Sequence, residues 1–156
     1  MELDIKFDAE KTILKFDNLV NKSPELLVKA IKRSILYLRG RVDKNLATGK
    51  WGIKTKDGML RASLATRVEA IASLSGNSAQ GIVGSNLVYA RIQEVGGDIY
   101  PKQARCLVFQ IGGRTIFARK VTIPAHWYMR NTLDEESQSG ALEKKFNDVY
   151  GEELKK

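Results

Sequence analysis

The stretch GIVGSNLVYARIQEVGG, Gly81 to Gly97, changes character twice. It opens apolar, as a strand does, and turns at Gly84-Ser85-Asn86. It then places Val88, Ile92 and Val95 at the i, i+4, i+7 spacing of one helix face. Asn86 stands where a side chain caps a helix. Gly96 and Gly97 stand where one stops, because glycine enters the left-handed region freely. Strand, short helix and helix stop therefore follow one another without a linker. Tyr89 and Glu94 lie inside this segment and pose the functional question: active site, phosphate cradle or assembly element.

Toward the C-terminus, CLVFQIGGRTIFARKVTIPA (Cys106–Ala125) reads as two strands joined at Gly112-Gly113, a pair suited to the positive φ angles of a two-residue turn. The hairpin region spans residues 105–123, and Pro124 ends it. An amphipathic tail from about Ser139, carried by Leu142, Phe146 and Val149, predicts a C-terminal helix over residues 137–156. Toward the N-terminus, GMLRASLATRVEA alternates cleanly and predicts a long strand with one wet face. LSGNSAQ supplies a turn, and GIVG the return strand. Residues 47–58, rich in glycine and lysine, read as a mobile loop. Ser23-Pro24-Glu25 opens a helix over roughly 24–46, with Leu27, Ala30, Ile31, Ile35, Leu38 and Val42 as its apolar stripe. ELDIKF predicts a strand, and Ile13, Phe16, Leu19 and Val20 a helix. The expected fold is one α+β domain over residues 1–156. An antiparallel sheet carries the long basic helix and the C-terminal helix, with an extended hairpin beside them.

The 156 residues include 26 basic and 18 acidic side chains, a net charge of +8. The excess is local. Lys22 to Arg67 holds twelve basic and three acidic residues, whereas Asp134 to Lys156 holds seven acidic and four basic. Such polarity suggests an anionic neighbour, either nucleic acid or an acidic protein face, although a solvated basic face would look the same. No apolar run approaches membrane-spanning length. The acidic start does not match a secretory leader, and a single cysteine fits a reducing compartment.

Catalytic chemistry finds little footing. His126 is the only histidine, which excludes a multi-histidine metal site, and Cys106 reads as a small strand residue beside Arg105. Neither GxxxxGK[ST] nor GxGxxG occurs. Glu69, Glu94 and Asp98 are the only acids between Val68 and Leu133, and no pairing of them suggests acid–base work. No cofactor is implied. The basic surface of Lys29, Lys32, Arg33, Arg39, Lys44, Lys50, Lys54 and Lys56 suits a phosphate backbone, with Trp51 available to stack on a base. No sequence-reading motif accompanies it.

Three segments in order carry a resemblance. They are Asp57-Gly58-Met59-Leu60-Arg61-Ala62-Ser63; then Val83-Gly84-Ser85 with Tyr89-Ala90, Glu94 and Gly96; then Pro124-Ala125-His126-Trp127-Tyr128. Over roughly Ser23 to Glu136 this order resembles the small tail-completion and head–tail joining proteins of long-tailed bacteriophages, the virion morphogenesis family. Two departures stand out: the usual threonine between Asp57 and Gly58 is missing, and His126-Trp127 replaces a common Arg-Pro pair. The resemblance implies a non-enzymatic structural protein of the virion neck, assembled in the host bacterial cytoplasm. Implied partners are tail-terminator, head-completion or connector proteins and further copies of itself in a ring, with non-specific contact to DNA passing through. An assembly interface would then draw on Tyr89, Glu94, Gly96, Gly97, Trp127 and Tyr128, and on Glu152 and Glu153 of the acidic tail. Tyr89 as ordinary core and Glu94 as ordinary surface explain the same residues. A stand-alone, sequence-independent nucleic-acid-binding protein is the alternative.

Overall fold

A computed structural model describes residues 23–53, 58–73 and 76–155. The expected N-terminal strand and the helix after it, together with Lys54 and Lys56, lie outside the described residues. The described elements are α1 (Ser23–Thr48), α2 (Met59–Ala62), β1 (Leu64–Ser73), β2 (Gly76–Ser85), α3 (Ala90–Val95), β3 (Gly97–Ile99), β4 (Leu107–Ile111), β5 (Arg114–Ala118), β6 (Val121–Ile123), α4 (Tyr128–Gln138) and α5 (Ala141–Leu154). The fold is α+β. Among the described residues its strands form three two-stranded sheets, β1-β2, β3-β6 and β4-β5.

The chain divides into two compact units. The described residues of the first lie within Met1–Leu38, Thr66–Val83 and Glu136–Lys156. Its core joins Leu26 and Ala30 of α1 to Val149 of α5, with Phe146 and Tyr150 packed against them. Polar contacts at the flank hold the same two helices: Arg33 donates to Glu152 at 2.6 Å, and Ser34 to the Leu142 carbonyl at 3.4 Å. The Tyr37 hydroxyl donates to the buried Glu136 carboxylate at 2.7 Å. Where β2 crosses α1 only glycine fits, because a Cβ on Gly81 would come within 2.3 Å of Ile35 Cγ2.

The second unit comprises Arg39–Ala65 and Gly84–Glu135. Val42, Leu46, Ile53, Leu60, Leu64, Ala90 and Tyr128 form its core, with Trp51, Leu87 and Met129 packed around them. A buried hydroxyl ties three of its segments together. Thr132 Oγ1 accepts from Asn45 Nδ2 at 2.9 Å and from Trp51 Nε1 at 3.1 Å, and donates to the Tyr128 carbonyl at 2.7 Å. One donor and two lone pairs are the whole capacity of a hydroxyl, so this one is saturated.

Four local expectations are corrected. The long strand expected from Met59 begins only at Leu64, because Gly58, at φ 64°, turns the chain into the single helical turn α2. Leu60 and Leu64, four apart and both buried, satisfy helical and alternating patterns alike. Next, β2 starts at Gly76, so most of the expected turn LSGNSAQ is strand. Asn86 does not cap α3, which starts four residues later behind Tyr89; Ser85 Oγ instead accepts the Leu87 N–H at 3.2 Å. Val88, placed on the apolar face of that helix, is 97% exposed. Finally, α4 precedes the expected terminal helix. Its buried positions are Tyr128, Thr132 and Glu136, so apolar spacing does not reveal it.

Candidate assembly interface

Glu94 and Gly96 clasp the chain entering α4. The Glu94 carboxylate accepts the backbone N–H groups of Met129 at 2.8 Å and Arg130 at 3.0 Å, capping the first turn of α4 with a negative charge. The backbone joins in: Trp127 N–H donates to the Glu94 carbonyl at 2.9 Å, and His126 N–H to that of Gln93 at 3.2 Å. Gly96 ends α3 at φ 71°, and a Cβ there would lie 2.6 Å from the Ala125 nitrogen. Both its conformation and its surroundings demand glycine. Trp127 carries the one positive φ of a non-glycine residue among those described, 50°, and the Arg130 guanidinium stacks 4.9 Å from its ring centroid.

Above the clasp rises a two-stage ribbon. β3 and β6 pair Gly97 with Ile123, Asp98 with Thr122 and Ile99 with Val121. Asp98 locks this stage by accepting from Thr122 at 2.6 Å and Lys120 at 3.0 Å, and these partners hold its carboxyl below the usual range. β4 and β5 nest inside it, joined by Gly112-Gly113 at φ 57° and 78°, the turn the sequence calls for. Their register sets Val108 opposite Phe117 and Phe109 opposite Ile116. Side chains alternate, so Val108 and Phe117 share one face while Leu107, Phe109, Ile111 and Ile116 share the other. Both faces meet solvent: Phe117 is 69%, Ile111 63% and Val108 59% exposed. Sequence reading did not single out these residues. Their signal was available, because LVFQI lacks the apolar–polar alternation of a strand with one wet face.

The expected interface residues divide. Tyr89 is exposed rather than core, Gly97 opens β3, and Trp127 is half-buried beside the clasp. Tyr128 is corrected: at 1% exposure it belongs to the unit's own core and offers no surface. Its hydroxyl is buried without a hydrogen-bond partner. Burial first, then the neighbouring Glu94 and Tyr89, push its pKa up to about 12. In the first unit, Glu152 is engaged by Arg33, and Glu153 is partly exposed on α5.

The expected basic surface is partly committed within the chain. Arg33 is bound to Glu152, Arg39 donates to the Leu64 carbonyl at 2.9 Å, and Lys50 pairs with Glu135 at 2.6 Å. Lys29, Lys32 and Lys44 are exposed. Trp51 is packed with its N–H engaged and Lys50 over its ring at 4.9 Å, which leaves little freedom for stacking on a base. His126 Nδ1 lies 3.1 Å from the Trp51 carbonyl and pins the turn after α1. Cys106 is partly exposed just before β4. Among the described residues no three His, Cys, Asp or Glu side chains gather as metal ligands, and no helix is long and apolar enough to cross a membrane.

The chain matches no family model, no curated protein and no solved structure with which it was compared.

Proposed function

We propose that this chain is a non-enzymatic structural protein of a bacteriophage neck, completing the tail and joining it to the head. The observation that carries the reading is the β4–β5 hairpin, apolar and exposed on both faces above a rigid clasp. An isolated two-stranded ribbon is marginal in water, and contiguous exposed apolar surface marks a place where another protein sits. A second observation supports a shared assembly role for these segments. Described residues from each of the three segments that carry the resemblance meet within the second unit: Ser63 Oγ lies 2.7 Å from Ser85 Oγ, Glu94 caps the helix beginning at Tyr128, and Gly96 abuts Ala125. Segments that fold into one substructure share a role more readily than segments scattered over the chain.

In this reading copies assemble as a ring at the head-proximal end of the tail, between terminator and connector proteins. Lys29, Lys32 and Lys44 face DNA in transit without reading its sequence. Electron microscopy of particles carrying the chain with a gold-labelled affinity tag tests the placement. Label confined to the head–tail junction is expected; label spread along the tail or over the capsid would contradict it.

A further inference from the structure

We infer that the open edge of β4 takes an extended, acidic strand of another protein as the third strand of the hairpin sheet. This edge deepens the assembly role above, on which it rests, by fixing the chemistry of what the hairpin recognises. Among the described residues no further strand pairs with β4 or β5, and two strands alone are marginal in water. The two-residue turn makes Ile111 and Arg114 its hydrogen-bonded closing pair, and bonded and non-bonded pairs alternate from there. Val108 and Gln110 therefore direct their N–H and C=O groups outward, away from β5. Both residues are exposed. Sheet edges are ordinarily blunted by charge, proline or a bulge. LVFQI has no charge and no proline, and its pairing with β5 runs without a bulge. β5, by contrast, begins with Arg114.

Charge states what the added strand carries. From Ile99 to Ile123 the chain has five basic residues and no acidic one. Lys120 is held by Asp98. Lys102, Arg105, Arg114 and Arg119 are exposed, and no ion pair engages them among the described residues. Lys102 and Arg105 precede the foot of β4, and Arg114 stands opposite Ile111 at its tip. A strand lying along β4 thus meets positive charge at both ends, and acidic residues there complement it. Apolar residues between them extend the surface of Val108, 59% exposed, or of Ile111, 63% exposed. The edge also selects protein over nucleic acid. It presents donors and acceptors in alternation, which a peptide strand satisfies. A phosphate backbone supplies acceptors only and leaves the apolar surface uncovered.

The test titrates the full chain into a fluorescent, end-blocked peptide of alternating valine and glutamate at low salt, read by anisotropy. Saturable binding is expected, with the Val108 and Gln110 amides newly protected from hydrogen exchange. The same peptide with lysine in place of glutamate should not bind. Gln110→Pro removes one outward N–H and spares the bonds to β5. It should weaken binding about tenfold, the worth of one backbone hydrogen bond. Lys102→Glu with Arg105→Glu should weaken it at least as much, and circular dichroism verifies that each variant folds. Four results would overturn the contact: no binding of the acidic peptide, equal binding of the lysine peptide, folded variants that bind unchanged, or both amides left unprotected. Amides protected in the chain alone, and released on dilution, would overturn it in favour of a second copy. Protection by a duplex oligonucleotide but not by the peptide would overturn it in favour of nucleic acid. Any of these, with the gold label still at the head–tail junction, would remove this contact and leave the neck role standing. Binding as expected with the label elsewhere would keep the contact and remove the neck role.

Discussion

The carboxylate of Glu94 accepts the backbone N–H of Met129 at 2.8 Å across 35 residues of sequence, so the last turn of α3 caps the first turn of α4. This contact fixes the chain at the foot of the ribbon. Replacing Glu94 with alanine leaves two helix-start N–H groups without their charged acceptor. It should destabilise the fold by about 1–2 kcal/mol, with glutamine intermediate, as read from urea unfolding.

Gly96 and Gly40 form an opposed pair. Gly96→Ala forces a Cβ to within 2.6 Å of the Ala125 nitrogen at a positive φ, and should cost about 3 kcal/mol. Gly40 sits inside α1 with nothing within 4 Å of a Cβ, so Gly40→Ala should gain about 0.5–1 kcal/mol. Thermal melts of the two variants should move in opposite directions.

Thr132→Val keeps the shape and removes the hydroxyl that Asn45, Trp51 and the Tyr128 carbonyl share. Two donors then lose their acceptor, and the expected loss is about 2–4 kcal/mol. Trp51 fluorescence, which reports the indole's surroundings, should shift with it in the folded variant.

Much of the fold was legible because local chemistry decided it. Ser23-Pro24-Glu25 starts α1, Gly112-Gly113 turns the hairpin, and Gly96 stops α3. What escaped depends on long-range partners. Glu94 looks like any surface acid until α4 arrives to be capped. α4 itself buries Tyr128, Thr132 and Glu136, two of them polar, whose burial is stabilised by Asn45, Trp51 and Tyr37. Leu60 and Leu64 fit two periods, and only the left-handed turn at Gly58 selects the helix. The exposed hairpin shows only in LVFQI, where Leu107, Val108 and Phe109 follow one another without alternation, a pattern that a buried strand shares.

Tyr128 carries a pH signature. Burial raises its folded pKa to about 12, against an ordinary value near 10. The folded state therefore holds its proton more tightly than the unfolded one. The stability linked to that proton is fully present below about pH 10 and is lost as pH rises toward 12. Tyr128→Phe should flatten that alkaline decline. It should also be neutral or up to about 1 kcal/mol stabilising at neutral pH, since it removes a buried hydroxyl with no partner.

The proposed neck role is tested most directly by disrupting this gene where it resides and examining the phage particles then produced by electron microscopy. The account predicts separate filled heads and free tails, restored to joined, infectious virions by a plasmid-borne copy. Intact, infectious virions in the gene's absence would contradict it.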